Sequence, residues 1–194
     1  MKNLIKLYNM APSNIKEEGH AWYTDTHNYC AELSARYAQS IEVVCAVFSA
    51  LSPATNFEAN KKDCLNLLAG TRNYRCTTYG SNVLKARNIL SGKVRPENAF
   101  SLKTGPKTFS FYYNVLNPQD GTHTTIDRHA YRIATGNEVK SLSPNQYQRL
   151  ANYYARAASK IGILPCQLQA VLWIDYRNKS KITFKKFADI EVPF

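Results

Sequence analysis

A lysine and an aspartate twenty residues apart are the side chains whose types could do chemistry together. Lys107 follows Gly105-Pro106 in a turn that opens into a helix, and Asp127 ends an extended run, residues 124–126, where another helix begins. On two adjacent helix N-termini, the two side chains could face one cleft. An amine there can attack a carbon that is losing a leaving group, while a carboxylate stabilises the developing charge or acts as a base.

Each residue also has an ordinary interpretation when it is considered alone. A lysine near a helix start is usually a solvated surface residue, and the helix dipole slightly disfavours its charge there. An aspartate before a helix is a very common N-cap. The chemical interpretation therefore depends on the elements that carry the two residues.

The sequence predicts helices along nearly the whole chain and no internal repeat. Residues 41–51 are apolar on almost every face, which indicates a central buried helix. The segment 182–194 mixes apolar and basic residues and is not assigned. Further helices are expected over 57–68, where Gly70 stops the helix, over 106–116, and over 128–135, where Gly136 ends it. Another runs from a Ser81 cap to Leu90, and a short turn is expected at 96–100. The last two run from a capping box at Ser143 to about Lys160 and from Pro165 through Tyr176.

The composition favours a polyanion as the partner. Lys and Arg outnumber Asp and Glu by 25 to 14, which gives a net charge of +11, and the basic residues are spread along the chain. A membrane surface would instead call for a basic amphipathic helix or a lipidation site, and neither is evident. The longest apolar run, residues 43–51, is too short to span a bilayer. We therefore expect a cytosolic, cytoplasmic protein that binds nucleic acid and no membrane.

Cysteine and histidine spacing gives no sign of a metal or a disulfide framework. The five cysteines are widely spaced and contain no C-x-x-C, and Cys45 and Cys64 fall inside apolar helices as small core residues. His123 and His129 are six residues apart, with no second ligand pair to complete a zinc site. We expect no metal and no cofactor.

Two stretches of the chain resemble the helix-hairpin-helix DNA glycosylases, the superfamily that includes endonuclease III. The first is Leu102-x-x-Gly105-Pro106-Lys107-Thr108, an aromatic-apolar helix, and Thr125-Ile126-Asp127-x-His129-x-x-Arg132-Ile133. The second is residues 48–55 with Asn60-Lys61, which are similar to the family's Leu-Leu-Ser-x-Gln-x-Thr segment. The resemblance covers roughly residues 40–136, and the helices expected over 143–177 are compatible with it.

Three departures from the family accompany this resemblance. The hairpin is one residue short, and Pro53-Ala54 stands where the family often has the glutamine that fills the gap left by an extruded base. The four-cysteine cluster of endonuclease III is absent, so no iron-sulfur cluster is expected. In this respect the chain resembles the small phage-associated branch of the superfamily.

The resemblance implies an all-α fold of two helical lobes with a cleft between them, one glycosylase-like domain over residues 1–194, and a monomer that binds DNA. It makes Asp127 essential and Lys107 the nucleophile. The residues implied in DNA binding are Lys103, Gly105, Thr108, Asn56 and Arg128. Aromatic candidates for a pocket that receives a flipped base are Trp22, Phe57 and Trp173, for which core packing is the competing interpretation.

The implied reaction is cleavage of an N-glycosidic bond, which builds positive charge on the deoxyribose that Asp127 would stabilise. Attack by Lys107 on C1′ would give a Schiff base and strand cleavage, and it needs burial or cationic neighbours such as Lys103 or Arg128 to favour a neutral amine. Alternatively, Lys107 contacts a phosphate only and Asp127 activates water.

The sequence leaves the substrate and the biological setting open. A modified pyrimidine, such as glucosylated hydroxymethylcytosine in phage DNA, is the first expectation. The setting would then be repair, phage DNA modification or antiviral defence. A DNA-binding protein without activity, or an enzyme that processes hypermodified bases in phage DNA, is the alternative.

Overall fold

The protein is all-α in the part of the chain that the structure describes. A computed structural model describes the backbone of residues 2–188 and the side chains of residues 2–179. This part contains no strand and is built from α1 (Lys2–Met10), α2 (Ser13–Tyr37), α3 (Ile41–Leu51), α4 (Phe57–Leu68), α5 (Gly80–Leu90), a 3-10 turn η1 (Pro96–Asn98), α6 (Pro106–Leu116), α7 (Arg128–Thr135), α8 (Pro144–Ile161) and α9 (Pro165–Ala188). The all-α prediction is confirmed for the described residues. In the unassigned segment 182–194, the backbone of residues 182–188 belongs to α9, and none of the side chains is described.

Capping residues set the boundaries of α3, α7 and α8. The Ser40 side chain accepts a hydrogen bond from the Val43 amide at the start of α3. Ser143 and Gln146 form both hydrogen bonds of a capping box at the start of α8. Gly136 ends α7 in the left-handed conformation, with φ of 76°, which costs a glycine nothing sterically. These helices are confirmed nearly to the residue.

The predicted cap of α5 is wrong. The helix begins at Gly80, and Tyr79 is its N-cap residue, with no side-chain capping bond. The reason is that the carbonyl of Tyr79 already accepts the amides of Asn82 and Val83. Ser81 therefore lies inside the first turn and is exposed.

The chain divides into two compact units. We name the units by their place along the sequence. The central unit is Tyr23–Thr125, in which the buried helix α3 contacts α4, α5, α6 and η1. The outer unit comprises the described residues of Met1–Trp22 and Ile126–Phe194, so both ends of the chain contribute to it. Its core joins α1, α7, α8 and α9 around buried side chains that include Leu4, Tyr154, Leu168 and Leu172.

Among the helices of the described residues, none alone is long and apolar enough to cross a membrane. Pro144–Ile161 and Pro165–Lys179, bent by 98° at their junction, have sufficient length and apolar composition only as a pair.

Candidate functional site

The carboxylate of Asp127 caps the first turn of α7 in the outer unit. Its backbone is extended, and its Oδ1 accepts a hydrogen bond from the Ala130 amide at 2.8 Å. Oδ2 accepts no hydrogen bond within the described residues, and the residue is half-buried. The N-cap interpretation of Asp127 is therefore confirmed, and one carboxylate oxygen remains available to a ligand.

Two tyrosines of α8 hold the backbone on both sides of Asp127. The Tyr147 hydroxyl accepts a hydrogen bond from the Ile126 amide at 3.3 Å, and the Tyr154 hydroxyl donates to the Ala130 carbonyl at 3.0 Å. Burial and, secondarily, the charge of Asp127 raise the pKa of Tyr154 far above its ordinary value. Tyr154 therefore remains a neutral donor at any physiological pH.

The exposed side of α7 is basic and aromatic. Arg128, His129 and Arg132 are exposed, whereas Ala130 and Ile133 face the core. Arg128 is the first residue of the helix, immediately after Asp127. The structure thus leaves Arg128 accessible to solvent, as its expected role in DNA binding requires.

The turn before α6 in the central unit presents Lys107 to solvent. The Gly105 amide donates to the Ser101 carbonyl at 2.8 Å, and the Thr104 amide donates to Ser101 Oγ at 3.3 Å. Pro106 then opens the helix, and Lys107 follows in its first turn, as predicted. Lys107 is exposed, so the burial expected for the nucleophilic mechanism is not found at this residue.

The neighbours of Lys107 are accessible to different degrees. Lys103 is exposed and Thr108 is half-buried. Gly105 has a φ of −143°, and an added Cβ would meet only the Ser101 carbonyl oxygen, at 3.8 Å. The protein's own packing therefore does not require glycine at this position, and the close approach of a phosphate stays a prediction.

Asn56 and Phe57 begin α4 in the central unit. The Asn56 side chain is exposed and caps the helix, accepting from the Ala59 amide at 2.9 Å. The Phe57 ring packs edge-on against Phe48 at 6.0 Å between centroids. Both residues thus have structural partners, and their roles toward DNA or a flipped base stay predictions.

A buried aspartate that the sequence analysis missed ties the loop after α4 to that helix. Asp63 is fully buried and accepts hydrogen bonds from the Tyr74 hydroxyl and from the amide and hydroxyl of Thr77, at 2.7–2.8 Å. Burial and the bond to Asp63 raise the pKa of Tyr74 to about 12. Thr77 in turn contacts Thr55, which precedes Asn56. The loops before and after α4 are therefore linked.

The two tryptophans pack together in the outer unit. The rings of Trp22 and Trp173 meet edge to face at 6.4 Å, and the Arg177 guanidinium lies 4.8 Å from the Trp173 ring centroid. Both rings are half-buried. The structure therefore brings together two of the three aromatic residues expected in the base pocket, whereas Phe57 belongs to the central unit.

The two residues of the expected catalytic pair lie in different units, Lys107 in the central unit and Asp127 in the outer one. Their meeting in one site stays a prediction. Within the residues that the structure describes, no three His, Cys, Asp or Glu side chains come together as ligands for a metal ion.

The chain belongs to a family described as "Family of unknown function (DUF7178)", whose model matches residues 1–180. No curated protein and no solved structure matches the chain. The resemblance to glycosylases therefore rests on the motifs around Lys107 and Asp127 and on residues 48–55.

Proposed function

We propose that the protein is a DNA N-glycosylase in which Asp127 is the essential carboxylate. The observation that carries this proposal is the hydrogen bonding and burial of that side chain. One oxygen is fixed by the Ala130 amide, the other accepts no hydrogen bond from the described residues, and the residue is half-buried. A fixed, partly desolvated carboxylate is the group that a sugar losing its base requires, because positive charge develops on that sugar.

The hydrogen bonds around Asp127 support this role. The Ala130 amide donates to the carboxylate, and the start of α7 contributes the positive end of a helix dipole. Both place positive partial charge beside the Asp127 side chain. Tyr147 and Tyr154 hold the adjacent backbone, so the carboxylate need not reorganise when charge develops on the substrate.

The other features are those that such an enzyme needs for DNA binding. The net charge of +11 favours a polyanion. The first turn of α6 offers the amides of Lys107 and Thr108 as donors for a phosphate, with the Lys107 ammonium beside them. The division of the chain into a central unit and an outer unit built from both ends supports the two-lobed arrangement that the resemblance implies.

Two mechanisms remain for Lys107, and its exposure favours one of them. In the favoured mechanism the exposed Lys107 binds a phosphate, as exposed lysines ordinarily do. Asp127 then activates water, and the enzyme releases the base without cutting the strand. The nucleophilic mechanism places a neutral amine on C1′, expels the base and leaves a Schiff base. The substrate we propose for either mechanism is a modified pyrimidine, with glucosylated hydroxymethylcytosine in phage DNA as the first example.

The test measures base release and covalent trapping with the same proteins. Wild type, Asp127→Asn and Lys107→Gln are incubated with glucosylated phage DNA and with unmodified DNA, and released bases are identified by mass spectrometry. Borohydride is added in parallel reactions on abasic DNA. Lys93→Gln, an exposed lysine of the central unit, is the matched control for Lys107→Gln.

Base release that is lost in Asp127→Asn and retained in Lys93→Gln supports the glycosylase. Trapping that is lost only in Lys107→Gln assigns the nucleophile, whereas base release without trapping assigns the phosphate contact. An altered base that stays in the strand indicates an enzyme that processes modified bases. DNA binding without any product would sink the proposal in favour of a DNA-binding protein without activity.

A further inference from the structure

One face of the outer unit combines stacked aromatic rings with arginines. Trp173, Tyr176 and Arg177 are spaced i, i+3 and i+4 on α9 and therefore share a face. Trp22 packs against Trp173, and the exposed His129 ring of α7 lies 5.7 Å from the Tyr176 ring. All five side chains are half-buried or exposed. We call this surface, together with Arg132 of α7, the α7–α9 face.

Two arginines of the α7–α9 face are each placed over an aromatic ring. Arg177 Cζ lies 4.8 Å from the Trp173 centroid, and Arg132 Cζ lies 5.9 Å from the Tyr176 centroid. A guanidinium stacked in this way loses side-chain freedom before any ligand arrives, while its N–H donors remain available at its edge. Pre-ordering of this kind lowers the entropic cost of binding an anion.

The acidic side chains near this face do not neutralise it. Glu138 forms an ion pair with Arg132 at 2.8 Å, but the Glu138 side chain is 77% exposed and that of Arg132 is 48% exposed. Exposed ion pairs of this kind contribute little to stability, so a phosphate can replace the carboxylate. Asp175 is buried and already paired with Lys179 at 2.6 Å.

We propose that the α7–α9 face binds the phosphodiester backbone of DNA through Arg132 and Arg177. The guanidinium fork matches phosphate oxygens in a bidentate manner, and the neighbouring rings can stack on unpaired bases. Arg132 lies five residues beyond Asp127, about 7.5 Å along the helix axis. A strand bound by Arg132 therefore lies at the same helix, α7, that Asp127 caps. The inference rests on the proposed function for the choice of DNA as the polyanion.

The test is equilibrium binding of the full chain to two fluorescent probes, a 12-nucleotide oligothymidylate and a 12-base-pair duplex, at several salt concentrations. The variants are Arg177→Gln, Arg177→Lys and Arg132→Gln. The control is Arg156→Gln, because Arg156 is exposed on α8, within the same unit, and stacks on no ring among the described residues. All four substitutions leave the core untouched, and far-ultraviolet circular dichroism checks that each variant is folded.

We expect Arg177→Gln to weaken oligothymidylate binding about tenfold and to lower the slope of log K against log salt by about one phosphate contact. Arg132→Gln should weaken it similarly. Arg177→Lys should lose most of the affinity although it keeps the charge, because the ammonium has no planar fork to stack. Arg156→Gln should change the affinity less than twofold. Equal effects of Arg177→Gln and Arg156→Gln would overturn the inference, as would full affinity in Arg177→Lys.

The tryptophans give a second readout at the same place. The chain contains two tryptophans, Trp22 and Trp173, and both lie on this face. Binding of oligothymidylate should therefore change the intrinsic emission, and binding at full affinity with unchanged emission would contradict the assignment. A larger change with oligothymidylate than with the duplex supports base stacking, and an equal change limits the face to backbone contacts and refutes stacking.

The outcomes separate this inference from the proposed function. If wild type releases no base but Arg177→Gln still weakens binding selectively, the glycosylase fails and the α7–α9 face stands. If base is released and Arg177→Gln matches the Arg156→Gln control, the enzyme stands and this face is refuted.

Discussion

Replacing Gly19 by alanine should destabilise the outer unit, because α2 and α9 cross there without room for a side chain. A methyl group at Gly19 would lie 2.4 Å from Val171 Cγ2 and 2.6 Å from both Val171 Cα and the Val171 amide nitrogen. The side-chain atom can rotate away, but the two backbone atoms cannot. The helices would have to move apart by roughly an ångström to restore ordinary contact distances.

The expected magnitude is the balance of two opposing effects. Alanine is favoured over glycine inside a helix by about 1 kcal/mol. Overpacking costs about 1–3 kcal/mol, and we take the upper end because a backbone must shift. The net loss in the free energy of unfolding is then about 2 kcal/mol. For a protein of this size that lowers the melting temperature by about 4–8 °C.

Urea and thermal unfolding of Gly19→Ala, followed by circular dichroism, measure this loss. Gly80→Ala is the matched control, because Gly80 is also a helical glycine and an added Cβ there meets nothing within 4 Å. The emission of Trp22, one turn beyond Gly19, should shift in the first variant only. A Gly19→Ala protein as stable as Gly80→Ala would refute the crossing geometry.

Three further outcomes follow from the contacts around the candidate site. Asp127→Ala should lower the free energy of unfolding by about 1 kcal/mol in urea titrations, whereas Asp127→Asn should not, because asparagine caps equally well. Tyr154→Phe should cost about 1–2 kcal/mol in the same assay, because it removes a fully buried hydrogen bond to the Ala130 carbonyl; no loss would mean that the bond is not formed. Burial, and then the charge of Lys16, lowers the pKa of His20 below 6.5, so the unfolded chain binds a proton that the folded protein excludes. Thermal stability should therefore fall as the pH drops below about 6.5, and the fall should be shallower in His20→Gln.

The sequence predicted those helices whose signals are local. Pro144 with its capping box, Gly136 after α7 and the apolar run of α3 each specify a boundary through nearby residues, and the structure places them as expected. The helix α2 gave no comparable signal. Its buried residues have the correct helical spacing, but half of them are small or polar, so a hydropathy pattern does not reveal the buried face. These residues are Ile15, Gly19, Tyr23, Thr26, Cys30 and Leu33.

The candidate site was predictable to a similar extent. The positions of Lys107 and Asp127 at the starts of α6 and α7 followed from proline and aspartate preferences and are confirmed. Tyr147 and Tyr154 were missed, because only the fold shows that two buried hydroxyls of α8 reach the backbone beside Asp127. Their spacing of seven residues was the available signal. Asp63 was missed for the same reason, since its donors come from a loop with no periodic pattern.

Asp127 satisfies more conditions than a helix cap needs. Asparagine, serine or threonine would cap α7 about as well without an ionised group to be half-buried. A cap also needs no support on both sides, yet two tyrosine hydroxyls of α8 bond the backbone at Ile126, immediately before this residue, and at Ala130, three residues after it. A carboxylate held in this manner keeps its position, and its Oδ2 accepts no hydrogen bond within the described residues. Asp127→Asn keeps the cap and removes the charge. It is therefore the substitution that separates the capping role of Asp127 from its proposed role toward a developing cation.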